Sequence, residues 1–152
     1  MTITANGLAE ITELAGRDLG HSSWLEITQD RVDAFADATN DHQWIHVDPD
    51  RAKNGPFGGT IAHGYLTLSL VIPLFGELLD VRGVSMSINY GLDRVRFPSP
   101  VKVGARIRLA GTVAEVRDVP DNGVQMAMDF TVEIDGGTKP ACAARAIYRH
   151  YA

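Results

Sequence analysis

Asp41, His46 and Gly64 are the residues of this chain whose types and spacing fit a reaction. The first two lie in Thr39-Asn40-Asp41-His42-Gln43-Trp44-Ile45-His46-Val47-Asp48-Pro49, and the third in His63-Gly64, which opens a long apolar stretch. Adding water across a polarised double bond requires such a set: a base that activates water, an acid that delivers a proton to carbon, and a donor for the enolate oxygen. A glycine amide at a helix start supplies that donor and lets a ligand approach the backbone. Read alone, the same residues have plainer roles. Asp41 is equally a loop residue ending a helix, His46 a hydrogen-bonded structural histidine, and Gly64 a relief of crowding at a helix start.

Neighbouring groups fit other work. Asp41, His42 and His46 contain an i,i+4 histidine pair, but a metal would need that pair on a helix, and the segment reads as loop. His63 reads as a packing and hydrogen-bonding residue. Arg94, Arg96 and Lys102 fit strand charges facing solvent, with phosphate contact as the alternative.

The elements around these residues follow from local signals. A short helix is expected over Leu8 to Ala15 and a strand over Ser22 to Ile27. Thr28 reads as an N-cap, with Val32, Phe35 and Ala36 forming an apolar face and the helix ending near Thr39. Asp48 reads as a second N-cap with Pro49 in the first helical position, where its missing N–H costs nothing. The segment from Asp41 to Val47 is therefore expected to be a loop held between two helices. Gly55 to Thr60 is turn chemistry. Tyr65 to Leu79 is expected to form a helix that is apolar on nearly every side, hence surrounded, with a kink at Pro73.

Beyond Gly83 the apolar period becomes two. Val84, Met86, Ile88, Tyr90 and Leu92 alternate with polar or small residues, and the phase flips at Val95 and Phe97, predicting a bulge near Gly91 to Asp93. Val101 to Leu109 alternates again. Asp121-Asn122-Gly123 and Asp135-Gly136-Gly137 are turns, Val124 to Ile134 alternates strictly, and Ala141 to Tyr151 is the last strand. An apolar helix followed by four one-sided antiparallel strands packs when the sheet curls around the helix, as in a hot-dog fold. The open edge and flank of such a sheet predict a homodimer that extends it. The fold class is thus α+β, a single domain over residues 1–152.

Composition bounds the rest. The 152 residues suffice for one domain burying roughly 70% of its unfolded surface. A net charge of −5 gives no basic face for nucleic acid. Cys142, the one cysteine, permits no internal disulfide and reads as a buried small residue. No secretory leader or membrane span is visible, so a cytoplasmic protein is expected.

Asp41 to Pro49, Ile61-Ala62-His63-Gly64, Tyr90 to Phe97 and Pro100 to Gly104 together resemble the MaoC-like hydratases, more narrowly the (R)-specific enoyl-CoA hydratases or hydratase 2, over roughly Ile27 to Tyr148. The Asp-x-x-x-x-His spacing with a following His-Gly carries the resemblance. It implies that Asp41 and His46 hold the water added to a trans-2-enoyl thioester, while the Gly64 amide binds the thioester carbonyl. Two departures stand out: Gln43-Trp44 replaces the family's usual Asn-Pro, and Asn40 stands where glycine often precedes the aspartate. A helical serine used by some members has no clear match, since Ile72 falls there by counting and Ser69 lies one turn earlier.

The resemblance implies reversible hydration of trans-2-enoyl-CoA to (R)-3-hydroxyacyl-CoA, with no metal or redox cofactor and coenzyme A entering only as part of the substrate. An acyl carrier protein is the alternative carrier, as in the 3-hydroxyacyl-ACP dehydratases of fatty-acid synthesis. Two rivals remain: a hot-dog thioesterase, disfavoured because the central helix carries only Glu77, near its far end, and a non-catalytic acyl-thioester-binding protein.

Overall fold

A computed structural model describes residues 1–152. In chain order the elements are β1 (Ile3–Asn6), α1 (Gly7–Thr12), β2 (Asp18–His21), β3 (Leu25–Glu26), α2 (Gln29–Thr39), α3 (Trp44–Val47), α4 (Pro49–Ala52), α5 (Gly64–Ser69), α6 (Val71–Leu78), β4 (Leu79–Arg82), β5 (Met86–Arg96), β6 (Arg106–Val119), β7 (Gly123–Ile134) and β8 (Cys142–Tyr151). The main sheet is antiparallel in the order β2-β6-β7-β8-β5, with β3 also pairing with β6. This is the hot-dog arrangement: the concave face of the sheet holds α5 and α6, whose Leu66, Leu70, Val71, Leu74 and Leu78 share one buried core with Leu109, Val113, Met126, Met128 and Val132.

The local signals act where expected. The Thr28 side chain accepts from the Arg31 N–H at 3.2 Å, and Asp48 accepts from the Arg51 N–H at 3.1 Å. Asp121 and Asn122 both take positive φ, 66° and 56°, the twist that closes a tight hairpin between β6 and β7. In β5 the pairing with β8 slips between Asn89 and Gly91 and again between Asp93 and Arg96, which accounts for the flip in apolar phase. Cys142 is fully buried, and burial pushes its thiol up to about 11.

Other expectations need correction. Three short strands, β1, β2 and β4, were not foreseen, and β1 pairs in parallel with β4 at the mouth of the core. The strand expected over Ser22 to Ile27 is only Leu25–Glu26: Ser22 stays tied to β6 through its N–H on the Leu109 carbonyl at 2.8 Å, but its hydroxyl, in place of its carbonyl, accepts the Leu109 N–H at 2.8 Å, which interrupts the ladder. The apolar helix is two helices meeting at Leu70. The break follows Ser69, whose carbonyl has no N–H to accept four residues on, where Pro73 stands. The second helix ends at Leu78, and Leu79 is already extended.

That helix pair is also not enclosed by its own chain. Tyr65 and Ile72 on its flank are largely exposed, as are Met86, Ile88, Tyr90 and Leu92 along β5 and Phe97 just beyond it. No helix is long and apolar enough to cross a membrane.

Candidate active site

The site lies where the α2–α5 segment folds back on itself. Helix α2 ends in Asn40, a left-handed cap at φ 59° and ψ 24°, a conformation asparagine adopts more readily than most side chains. That reversal delivers Asp41 to an extended stretch. The following residues do not stay a loop: Trp44–Val47 forms one helical turn, α3, directly before the Asp48 cap of α4. His46 on this turn points inward.

Four hydrogen bonds fix it. The His46 Nδ1–H donates to the Ile61 carbonyl at 2.7 Å, which leaves the lone pair on Nε2. Ile61 returns the tie through its own N–H, donated to the Ile45 carbonyl at 2.9 Å. From α2, the Gln29 side-chain amide donates to the His46 carbonyl at 2.7 Å, and its oxygen accepts the Thr60 hydroxyl at 2.6 Å.

His63, at the entrance to α5, joins the two candidate groups. Its Nε2–H donates to the Asp41 backbone carbonyl at 2.9 Å, and the same nitrogen lies 4.0 Å from Asp41 Oδ2. Its ring stacks on that of His46, with centroids 3.8 Å apart and planes 22° from parallel. One ligand-type atom each of Asp41, His46 and His63 falls within 4.8 Å of the others. Side-chain exposure differs sharply: His63 is 3% exposed and Asp41 53%. Burial chiefly, with the neighbouring His63 adding to it, holds His46 below the ordinary imidazole pKa, against the opposing pull of the Ile61 carbonyl and Asp41. His46 is therefore a neutral base at neutral pH.

This trio is poorly arranged for a metal. Lone pairs of imidazole lie in the ring plane, so two nearly parallel stacked rings direct them side by side rather than at one ion. The alternative set of Asp41, His42 and His46 does not assemble, because His42 bonds instead to Asp37 Oδ1 at 2.9 Å.

His46 and Gly64 line the same cleft, about 360 Å³, with Ala62, Thr67, Phe97 and Val101 among its mainly apolar walls. Gly64 is the first residue of α5, so its N–H has no acceptor within the helix. A Cβ there would meet three Phe97 ring carbons at 3.3 Å, a second reason for glycine. A larger cleft of about 490 Å³ beside Trp24 and Arg108 holds no histidine or cysteine, and its carboxylates are engaged as Arg108–Glu133 and Arg106–Asp135. Arg94, Arg96, Lys102 and Ser69 are exposed, and the Ser69 hydroxyl donates to the Tyr65 carbonyl at 2.7 Å.

The structure thus brings Asp41 and His46 together and sets Gly64 on the wall beside His46. Gln29, Ile61 and Phe97 were not singled out as site residues from sequence, and nothing local marks them, since each acts on a residue distant in the chain.

The family described as MaoC like domain matches residues 10–133. The chain belongs to the MaoC-like family. Among similar proteins, this MaoC-like chain is 50% identical over 149 residues to the 3-hydroxyacyl-thioester dehydratase Z of Mycobacterium tuberculosis, covering 98% of this chain and 99% of that one. It is 46% identical over 142 residues to Nodulation protein N of Rhizobium leguminosarum bv. viciae, covering 92% and 88% respectively. Among solved structures, the (R)-hydratase from A. caviae involved in PHA biosynthesis superposes with a TM-score of 0.70 at 26% identity, covering 88% of this chain and 94% of that one.

Proposed function

We propose that this MaoC-like protein is a hydro-lyase that interconverts trans-2-enoyl and (R)-3-hydroxyacyl thioesters. The observation that carries the reading is the Asp41–His46 pair: a half-exposed carboxylate within 4.8 Å of a buried imidazole on the wall of an apolar cleft. That spacing admits one water donating its two O–H groups to the His46 Nε2 lone pair and the Asp41 carboxylate. The relative at 50% identity named as a 3-hydroxyacyl-thioester dehydratase supports the same substrate class.

In the hydration direction, the water oxygen bonds to C3 while His46 Nε2 takes one of its protons. The C2–C3 π pair shifts to form the C1–C2 double bond of an enolate and the carbonyl π pair moves onto the thioester carbonyl oxygen, where the Gly64 N–H meets the developing charge. The proton taken by the pair is then returned to C2, so hydroxyl and proton arrive on one face and the addition is syn. The steps are proton transfers and one addition; no electrons are exchanged with a cofactor, and coenzyme A enters as part of the substrate.

Loss of enoyl absorbance with crotonyl-CoA, without release of free thiol, is the expected result. Thiol release would establish a thioesterase instead, and saturable binding without turnover a non-catalytic module. The thioesterase reading is weakened by Glu77, whose carboxylate is engaged by the Ser23 N–H at 2.7 Å and hydroxyl at 2.9 Å.

The same assay across pH tests the base. The active form of His46 is neutral, and burial lowers its pKa, so kcat/KM should fall with acid only through a midpoint below 6.5. A midpoint clearly above 6.5 would argue that another group is the base.

The reading includes a homodimer. β5 is a sheet edge with an unpaired side; its exposed Leu92 adjoins the bare helix flank at Ile72, while Met86 and Ile88, opposite Tyr151 and Arg149, are exposed on the other face of the same edge. A second copy pairing there would continue the sheet and cover both. Sedimentation should give about twice the 16.5 kDa chain mass, and Ile88→Asp with Leu92→Asp should give a monomer of lowered Tm. A wild-type monomer at micromolar concentration would rule the dimer out.

A further inference from the structure

Resting on the function proposed above, we infer that His63 is a positioning residue that sets the distance between the Asp41 carboxylate and the His46 imidazole. It does not itself line the cleft that His46 and Gly64 share, but it contacts both members of the pair. Its Nε2–H holds the Asp41 carbonyl at 2.9 Å, and its ring forms the seat on which His46 lies at 3.8 Å. Phe35 packs against the His63 ring with centroids 4.9 Å apart and planes 55° from parallel, so the ring has little freedom to move.

The need for such a device is visible at Asp41. The residue follows the left-handed cap Asn40, lies outside any helix or strand, and carries a half-exposed side chain. Its carboxylate has only a long contact from the Gln43 N–H, 3.5 Å, to orient it. His46, by contrast, is held independently by Ile61 and Gln29. The relative placement of the two therefore depends on the bond from His63.

A packing role alone does not account for the residue. His63 Nδ1 is buried with no hydrogen-bond partner, a cost that phenylalanine at this position would avoid. What phenylalanine could not supply is the N–H on Asp41.

The test compares His63→Phe, which keeps a ring and loses the donor, with His63→Gln, which keeps an amide near the Nε2 position. Activity of the wild-type protein on crotonyl-CoA comes first; without it the functional reading falls and the variants are moot to it. Given an active wild type, His63→Phe should lose about 10- to 100-fold in kcat with KM within about threefold and Tm undiminished, since small misplacements of a reacting group carry such losses. His63→Gln should recover much of that loss.

The decisive arm is the double variant with Asp41→Asn, in which His63→Phe should cost almost nothing further, because it acts through Asp41. Additive losses in the double variant, an unchanged kcat in His63→Phe, or equal losses in Phe and Gln variants tracking a fall in Tm would each overturn the inference. Should His63→Phe fail to fold, His63→Leu, which also lacks the donor, takes its place in both arms under the same additivity criterion.

Discussion

His46→Asn should slow hydration of crotonyl-CoA by about 10²- to 10⁴-fold, the range general acid–base groups supply, while leaving Tm nearly unchanged. Asparagine is the informative replacement because its amide nitrogen lies near the position of Nδ1. It can keep the donation to the Ile61 carbonyl that anchors this turn, and it lacks the outer nitrogen that serves as base. Asp41→Asn should cost a comparable factor, since it keeps the shape and removes the carboxylate, and the backbone carbonyl held by His63 is untouched. Because the two groups are proposed to share one water, the double variant should be little worse than the poorer single one. Full activity in both single variants, measured with circular dichroism to show intact folds, would remove the proposed chemistry.

Gly64→Pro should lower kcat by about 10²- to 10³-fold, the cost of one oxyanion donor. Proline is tolerated at the first position of a helix, and the preceding residue, His63, already has the extended geometry proline requires, at φ −60° and ψ 138°. The substitution thus deletes the N–H while sparing the helix. Its added carbons do press on Phe97, as any Cβ there must at 3.3 Å. Gly64→Ala is the control: it brings the same Cβ against Phe97 and keeps the amide. Alanine should lose several-fold and proline far more. Equal losses would assign the effect to Phe97 displaced into the cleft, and the amide would drop out of the mechanism.

These expectations depend on parts of the molecule that differ in how they can be read. Thr28 and Asp48 were recognisable as caps because a cap is satisfied by an N–H three residues away, and both bonds form. Asp121 and Asn122 were recognisable as a turn because their side chains tolerate positive φ, and both adopt it. The core-facing positions of β7, Val124, Met126, Met128, Phe130 and Val132, follow from alternation, although Gln125 and Ala127 on the other face are buried too. Asp41, His46 and Gly64 were singled out by residue type and spacing, assisted by the likeness of their motifs to a known family.

The errors arise where distant segments compete. The Leu109 N–H is taken by the Ser22 hydroxyl in place of a strand carbonyl, and β1 pairs with β4 across the whole helical segment. Apolar alternation in β5 did not mark one face: the slip between Asn89 and Gly91 leaves Met86 and Ile88 opposite Tyr151 and Arg149 on the side away from the helices and Leu92 opposite Ala146 on the other, and all three are exposed. Alternation reports which residues share a side only where no bulge intervenes, and never what will cover them.

Taken by itself, then, the order of residues determined the caps, turns, strand faces and chemical types at the site, because each is settled by interactions within a few positions. Tertiary structure alone decided which His46 nitrogen is free, through the Ile61 carbonyl, and that His63 stacks on His46 while holding Asp41. Those contacts join residues 15 and 22 positions apart. They exist only once α5 has docked on the sheet and brought its entrance back against α3, a closure that no short window of sequence encodes.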